Sequence, residues 1–209
     1  LGSKSGADFL LSLQEKTIWV MDKVDAIPVI IPDYPSEEKK FYKLIEGLLK
    51  NGKQFIADSI LEPINFGFTD SIVRYQKFRK NFPDVEIMMG IGNLTELTHA
   101  DTAGMNALLF GITSELDINY ALCTQVSEHC NKAIIEGNHA RRIMYSTKKY
   151  SMPPKDISIT SPHRHSILGE SMNVKHLVTS LPWFAIGSPW SAFWLLWPPL
   201  ACDDSHWPA

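Results

Sequence analysis

The chain has 209 residues, of which 44% are hydrophobic and 21% charged, so it has room for one globular domain and an appendage. Its formal net charge of −3 gives no general attraction to nucleic acid. Three cysteines, Cys123, Cys130 and Cys202, form neither a CxxC pair nor a disulfide framework, so we expect a cytoplasmic protein.

The body of the chain repeats one pattern, a short apolar run followed by a polar turn and an amphipathic helix. Apolar runs begin at Phe9, Ile27, Gln54, Val85 and Tyr120. They are continuously apolar rather than alternating, as expected of parallel strands that are covered on both faces. Five such units predict an α/β fold, with a parallel sheet and helices packed on it. An open doubly wound sheet and the C-terminal part of a (β/α)8 barrel both fit this pattern.

The helical patterns of the first three units follow their runs closely. A helix-like stretch covers 15–24. Ser36 can cap the second helix, whose apolar residues recur along one face: Phe41, Leu44, Ile45, Leu48 and Leu49. The third helix is expected over 69–82, because Pro83 ends it. Each of these helices is therefore expected to bury one apolar face.

The fourth run ends in a glycine turn. Gly90 and Gly92 close the run, Asn93 stands where a helix can begin, and Glu96 can complete a capping box. Backbone N–H groups at such a strand end bind anionic or polar small molecules in α/β proteins. A third glycine and a GxxxxGK[ST] loop are both missing, which disfavours a dinucleotide fold and a P-loop nucleotidase. The fifth helix is expected to start at Ser127.

Candidate functional residues follow the strands, because βα proteins place their active residues where strands end. Asp58 follows the third strand and can pair with the guanidine-like edge of a heterocycle, although it can also cap its own loop. Glu62 in the same loop is either a ligand contact or a solvated carboxylate. Asn93 is either a helix cap or an amide presented to a substrate.

The fifth strand ends in a second polar segment. Gln125 lies nearest the mouth of the sheet, whereas Ser127 is expected chiefly to cap the last helix. His129 is either an acid–base residue or a surface residue, and Cys123 is expected in the core. No spacing of histidine, cysteine and carboxylate residues indicates a structural zinc site.

Several segments of the body carry a family resemblance: Ile56–Phe68, Met88–Thr98 followed by Ala100-Asp101, Cys123–Ser127 and Ala140–Met144. Together they resemble the dihydropteroate synthase-related proteins of archaea and some methylotrophic bacteria, which are associated with tetrahydromethanopterin metabolism. The resemblance covers residues 1–157. It implies that this part of the chain is a partial pterin-binding (β/α)8 barrel, made of the later strands of the full barrel.

Classical dihydropteroate synthases grip the pterin ring with a strand-end Asp-Pro-Gly-x-Gly-Phe loop. Here Asp58 or Glu62, with Gly67-Phe68, can stand in that place. The resemblance implies that Asp58 holds the amino-pyrimidine edge of the pterin.

The resemblance also implies roles for the next two strand ends. Asn93 and Gln125 would contact the other polar atoms of the pterin, and helix N-termini at Thr95 and Ser127 would receive phosphate. No dedicated metal site is evident, and Mg²⁺ is the cofactor expected with a pyrophosphate substrate. The substrate-binding residues implied in this way are Asp58, Glu62, Asn65, Asn93, Thr95, Gln125 and Ser127.

Two departures separate this chain from the classical enzymes. Gly90–Asn93 replaces a Ser-Arg-Lys whose lysine contacts the pterin, and Thr124–Val126 replaces an Arg-x-His that holds the leaving phosphate. Losing these cations removes charge that would stabilise departing pyrophosphate. Pterin binding is therefore more strongly implied than synthase activity.

Three hypotheses follow. In the first, the protein acts in tetrahydromethanopterin or folate-like cofactor biosynthesis, and if catalytic it is a transferase that moves a dihydropterin-methyl group to an arylamine. In the second, it is a non-catalytic pterin carrier or sensor. In the third, it is a barrel enzyme whose anionic substrate is not a pterin.

The segment 158–209 differs from the body in composition. Five of the six tryptophans lie in its last 27 residues, and 177–202 contains four prolines and no charge. It can be a transmembrane segment, a tryptophan-rich docking segment, or an atypical tail that is foreign to the domain. We favour the third interpretation and expect the tail to be unstructured.

The expected partner is a small-molecule pterin. Nucleic acid is not expected, and 177–202 is the one candidate for membrane contact. Leu1 is not a start methionine and no signal peptide is evident, so we expect the chain to begin inside a larger protein, whose full-length form can be a homodimer.

Overall fold

The sheet is parallel throughout, and its strands follow the order of the chain. The computed structural model describes residues 7–33 and 37–155 together with the backbone of 175–178. The strands are β1 (Phe9–Leu13), β2 (Ile27–Ile30), β3 (Ile56–Ala57), β4 (Met88–Met89), β5 (Tyr120–Cys123) and β6 (Lys175–Val178). Strands β1-β2-β3 and β4-β5-β6 form two parallel groups, which a parallel bridge between Ala57 and Ile87 joins. The predicted α/β fold with parallel strands is confirmed, and the described residues do not close into a barrel.

Helices connect the strands as the sequence pattern predicts. They are α1 (Glu38–Lys50), α2 (Phe68–Asn81), α3 (Gly92–Thr95), α4 (Thr102–Glu115) and α5 (Ala133–Tyr150). Two 3-10 segments, Glu15–Lys23 and Glu128–Cys130, lie between β1 and β2 and between β5 and α5. Among the described residues, no helix combines the length and the apolar character that a membrane span requires.

The first two helices differ in detail from the prediction. The stretch after β1 is a 3-10 helix with no fully buried residue, and its Ile18, Val20 and Met21 are partly buried against the core. Ser36 lies outside the described residues, and Glu37 occupies the position before α1. The buried face of α1 is narrower than predicted, because Phe41, Ile45 and Leu48 are buried whereas Leu49 is 46% exposed.

A helix does begin near Asn93 as predicted, since α3 starts at Gly92, but it ends after a single turn at Thr95. The prediction that the long fourth helix starts there is wrong, because α4 begins only at Thr102. Asp101 is its cap, since the Asp101 carboxylate accepts hydrogen bonds from the backbone N–H groups of Ala103 and Gly104, each at 3.1 Å. Glu96 does not complete a capping box, because its carboxylate binds backbone N–H groups in the loop after β5 instead.

The predicted start of the last helix is also wrong. Ser127 precedes the short 3-10 segment and makes no side-chain cap, and α5 begins six residues later at Ala133. The polar run after β5 is consequently a loop rather than the first turn of a helix. This difference leaves Gln125 and Ser127 on a connection whose shape depends on contacts with the neighbouring loop.

The two faces of the sheet have separate apolar clusters. Ile30, Ala57 and Met89 face the helices and pack with residues such as Phe78 and Leu109. The alternate residues of the same strands form a second cluster on the other face, made of Val29, Ile56, Met88 and Tyr120 with partly buried Phe9, Leu11, Ile27 and Leu122. Both faces of these strands are therefore apolar, as the continuous runs predict.

Strand β6 extends the sheet beyond the predicted domain boundary at 157. Its residues Lys175–Val178 pair in parallel with β5, from Tyr120 opposite Lys175 to Cys123 opposite Val178. The remainder of 158–209, including the uncharged segment 177–202 beyond Val178, lies outside the described residues.

Candidate functional site

The end of β3 presents a carboxylate that is held from two sides. The backbone N–H of Asp58 donates to the Ile30 carbonyl at 2.9 Å, which places the residue beside the end of β2. Asp58 Oδ1 accepts hydrogen bonds from the Ile60 N–H at 2.7 Å and from the Tyr75 hydroxyl at 2.5 Å. Within the described residues, Oδ2 accepts no hydrogen bond. Asp58 thus caps its own loop with one oxygen and keeps the other for a further donor.

Burial sets the protonation of this pair. It raises the pKa of Asp58 to about 6, although Tyr75, the Ile60 N–H and Arg74 all act in the opposite direction. Burial and the neighbouring carboxylate raise the pKa of Tyr75 well above its ordinary value, so the phenol stays a donor. At neutral pH Asp58 is therefore an ionised acceptor held in an environment that disfavours its charge, which is typical of functional carboxylates.

Arg74 on α2 holds the loop that follows Asp58. Its guanidinium forms a 2.8 Å ion pair with Glu62, and both side chains are less than one-fifth exposed, at 17% and 15%. The same group donates to the carbonyl oxygens of Ser59 at 3.4 Å and Ile60 at 3.1 Å. Glu62, one of the predicted ligand residues, is therefore neither solvated nor free, and its geometry is that of a loop anchor.

Gly67 completes this loop in a conformation that other residues rarely adopt. It has φ of 110°, and a Cβ at this position would lie 2.4 Å from Oε2 of Glu62. We expect Gly67→Ala to lower the free energy of unfolding by about 2–4 kcal/mol, through backbone strain and through displacement of Glu62 from Arg74. Urea denaturation followed by circular dichroism measures the change.

Gly52→Ala is the matched control, because Gly52 has φ of 62° but nothing within 4 Å of its Cβ position. It should cost only the backbone term of about 1 kcal/mol. Equal losses in the two variants would contradict a steric role for Glu62.

Asn93 joins the loop after β4 to the loop after β3. Its side-chain Nδ2 donates to the Leu61 carbonyl at 3.0 Å, and its Oδ1 accepts nothing from the described part of the chain. Gly90 passes close to the same amide, since a Cβ there would lie 3.2 Å from Nδ2. The amide of Asn93 is therefore oriented by one bond and retains an acceptor atom.

Glu96 joins the loop after β4 to the loop after β5. Its two carboxylate oxygens accept hydrogen bonds from the backbone N–H groups of Val126 and Ser127, each at 2.8 Å. Thr95 beside it is 1% exposed, and its carbonyl accepts hydrogen bonds from His129 Nε2 at 3.0 Å and Cys130 Sγ at 3.2 Å. The Thr95 N–H donates to the Ile91 carbonyl at 3.2 Å, and the Ser127 N–H donates to Glu96. Neither predicted phosphate position, Thr95 or Ser127, therefore has a free backbone N–H for a ligand.

Gly92 and Thr124 pack against each other where β4 and β5 end. A Cβ on Gly92 would lie 2.4 Å from Thr124 Oγ1, so this position has no room for a side chain. Thr124 is buried, with 5% exposure. The glycine of the turn is therefore explained by packing between adjacent strand ends.

The remaining predicted residues are more peripheral. Gln125 and Asn65 are exposed, and Asn65 has a positive φ of 66° that marks a tight loop. His129 stacks on His99, with ring centroids 4.3 Å apart. Cys123 is 3% exposed, and burial raises the pKa of its thiol to about 12, which confirms the core position and makes it a poor nucleophile.

The structure thus brings the predicted strand-end loops together but changes the roles of their residues. Hydrogen bonds from Asn93 and to Glu96 link the loops after β3, β4 and β5 into one edge of the sheet. In the described part of the chain, no cluster of three or more histidine, cysteine or carboxylate residues is arranged to hold a metal ion.

Three contributors were missing from the sequence-based site: Arg74, Tyr75 and Glu96. Tyr75 could have been found, because it continues the buried face of α2 formed with Ser71 and Phe78, and a buried phenol requires a hydrogen-bond partner. Arg74 gave no such signal, because an arginine on a helix is usually solvated and its partners lie 12 to 15 residues earlier, in the loop that leads into α2. Glu96 gave none either, because its partners lie 30 and 31 residues later in the chain.

These features define a class, an α/β protein with a parallel sheet and a polar site at the carboxyl ends of β3, β4 and β5. The chain is similar to an uncharacterized protein of Methanocaldococcus jannaschii, MJ0107, with 33% identity over 170 residues. The match covers 73% of this chain and 32% of the relative, so the chain spans about a third of the relative's length. No protein-family model matches the chain, and no solved structure matches it.

Proposed function

We propose that the chain is part of a pterin-binding protein similar to dihydropteroate synthase, acting in tetrahydromethanopterin or folate-like cofactor biosynthesis. The finer fold in this proposal is the C-terminal part of a (β/α)8 barrel. Two observations support that fold: the strands are neighbours in chain order, as in a barrel, and the sheet has an apolar face that the described helices do not cover.

One observation carries the proposal, the acceptor geometry of Asp58. A pterin presents an amino group beside a ring N–H, and an ionised carboxylate is the natural partner for such a pair of donors. Asp58 has one oxygen fixed by Tyr75 and Ile60, so the other is held in a defined direction. Asn93 contributes an acceptor on the neighbouring strand end, and Gln125 an exposed amide on the next.

The absence of cations at the strand ends favours a second candidate function, a non-catalytic pterin carrier or sensor. No lysine or arginine occurs in 58–67, 90–101 or 124–131. Arg74, which packs onto the first of these segments, is bound to Glu62 and to two backbone carbonyls. Transfer of a dihydropterin-methyl group to an arylamine would need positive charge where pyrophosphate departs.

Titration of the chain with dihydropterin, followed by ligand fluorescence, tests the proposal. We expect saturable binding, and we expect Asp58→Asn to weaken it by about 10–100-fold, because the variant replaces a charged acceptor with a neutral group. Glu46→Gln is the control, since Glu46 is an exposed carboxylate on α1, and it should bind as the wild type does.

Equal affinities for wild type and Asp58→Asn would contradict the role of Asp58 and favour a ligand other than a pterin. Tight binding of dihydropterin without product formation in the presence of an arylamine would favour the carrier. Cytoplasmic location and a homodimer of the full-length protein stay predictions.

A further inference from the structure

The loop after β5 binds a carboxylate of the protein itself, that of Glu96. Two consecutive backbone N–H groups, at Val126 and Ser127, point to one carboxylate and bind it at 2.8 Å each. Paired N–H groups of this kind bind phosphate oxygens in many α/β proteins. Here both N–H groups donate to the carboxylate of Glu96, a residue that is 7% exposed.

Glu96 is ionised in this arrangement. Burial opposes its charge, but hydrogen bonds from the Ser127 side chain and from the two backbone N–H groups outweigh burial and lower the pKa of Glu96 below its ordinary value. A phosphate that approached the same N–H groups would therefore meet a fixed negative charge at short range.

The charges around Glu96 act in the same direction. Asp58 is a carboxylate on the adjacent loop, and the segments 58–67, 90–101 and 124–131 contain no lysine or arginine. The nearest guanidinium on the β3 side, that of Arg74, is paired with Glu62 at 2.8 Å. In the described loops after β3, β4 and β5, a dianionic or trianionic group would therefore meet no unpaired lysine or arginine.

We propose that Glu96 determines specificity by excluding phosphorylated pterins, so that the ligand of the strand-end site is a pterin without phosphate. This inference rests on the proposed function. It also gives Glu96 a role beyond holding a loop, because the charge that orders the loop after β5 rejects a phosphate ester there. The carrier becomes the better-supported of the two candidate functions, since the classical transfer requires a pyrophosphate ester.

Paired titrations test the inference, one with dihydropterin and one with dihydropterin-methyl pyrophosphate, the ester in which pyrophosphate is attached to the methyl group of the pterin. In the wild type we expect at least about tenfold tighter binding of dihydropterin, because the ester brings negative charge toward Glu96 and Asp58. In Glu96→Gln this preference should shrink by at least about fivefold, because the variant keeps the shape of the side chain and loses its charge. Glu128→Gln, an exposed carboxylate in the same loop, should leave the preference unchanged.

Amide hydrogen exchange separates a charge effect from a loosened loop. A glutamine amide has one acceptor oxygen, so Glu96→Gln can keep only one of the two hydrogen bonds to the Val126 and Ser127 N–H groups. One of these two amides should therefore still exchange slowly in Glu96→Gln, whereas both should exchange fast in Glu96→Ala. A preference that is lost in a Gln variant with one protected amide reports charge. Wild-type protein that binds the pyrophosphate ester as tightly as dihydropterin would overturn the inference and leave the proposed function standing.

Titration with inorganic pyrophosphate tests the role of Glu96 without a pterin. We expect the wild type not to bind it at millimolar concentration and Glu96→Gln to bind it at least about tenfold more tightly than the wild type does. If the wild type binds neither pyrophosphate nor dihydropterin and Glu96→Gln binds pyrophosphate, the proposed function is refuted and the role of Glu96 in rejecting phosphate is retained. A Glu96→Gln variant that gains no pyrophosphate binding would refute that role. Wild-type binding of pyrophosphate would refute that role.

Discussion

Replacing Asp58 with asparagine should stabilise the protein at pH 8 by up to about 3 kcal/mol, although it removes the residue that we assign to ligand binding. The pKa of the carboxyl is about 6 in the folded protein against an ordinary 3.8, and each pKa unit corresponds to about 1.4 kcal/mol. Asparagine is uncharged, and its carbonyl oxygen can still accept hydrogen bonds from Tyr75 and the Ile60 N–H. A substitution that stabilises the fold and weakens binding is expected where a residue serves function rather than folding.

The size of this gain should depend on pH. The folded protein binds the Asp58 proton more tightly than the unfolded chain does, so the contribution of this group is fully present below pH 3.8 and is lost as pH rises through about 6. The Asp58→Asn variant has no carboxyl at this position, so its stability lacks this pH-dependent contribution. The two proteins should therefore differ little in stability near pH 4, and the variant should reach its full advantage by about pH 7 to 8.

Urea denaturation of both proteins at a series of pH values measures this difference, and comparing variants removes the titration of all other groups. Glu46→Gln is the control, and it should change stability by less than about 0.5 kcal/mol, because Glu46 is exposed and has no hydrogen bond or ion pair among the described residues. An Asp58→Asn protein that is less stable than the wild type at pH 8 would show that hydrogen bonding to the ionised carboxylate outweighs its burial.

The elements of the fold were largely predictable, because they follow from the spacing of apolar residues. All five apolar runs contain a strand, and the third helix, predicted over 69–82, is observed as α2 with both ends within one residue of the prediction. The starts of the fourth and fifth helices were not predictable in this way. Asn93 and Ser127 are both good capping residues, but the structure uses Asp101 and a loop instead.

The reason for both misses is one contact between distant loops. Glu96 has the spacing of a capping-box residue, yet its carboxylate binds N–H groups 30 and 31 residues further along the chain. Local spacing cannot reveal such a partner, whereas it does reveal that Asp58 and Asn93 lie at strand ends. Residue positions at the site were thus predictable from the repeat, and their bonding was decided by how neighbouring loops meet.

At the opposite edge of the sheet, one side chain holds together the connections that enter β4 and β5. The guanidinium of Arg79, near the end of α2, donates to five backbone carbonyls at 2.7–3.4 Å: those of Phe82, Pro83, Val85, Leu116 and Asp117. It also donates to Asn119 Oδ1 at 3.3 Å, and the same oxygen accepts a hydrogen bond from the Ile87 N–H at 3.0 Å. Arg79 therefore aligns two strands from the edge away from the ligand site.

Arg79→Met should lower the free energy of unfolding by about 3–5 kcal/mol, because it leaves several half-buried carbonyls without donors while keeping most of the side-chain volume. Arg79→Lys should recover only part of the loss, since an ammonium group cannot reach both connections with the planar fork of a guanidinium. Lys80→Met is the control, and an exposed neighbour on the same helix should change stability by less than about 0.5 kcal/mol. Urea denaturation measures the stability of all three variants.

Dihydropterin affinity per folded molecule should be unchanged in each variant, because Arg79 and Asp58 lie at opposite ends of the strands. A loss of affinity in folded Arg79→Lys would show that the alignment of β4 and β5 affects the ligand site. A stability loss below about 0.5 kcal/mol in Arg79→Met would contradict the role of Arg79 in holding the two connections.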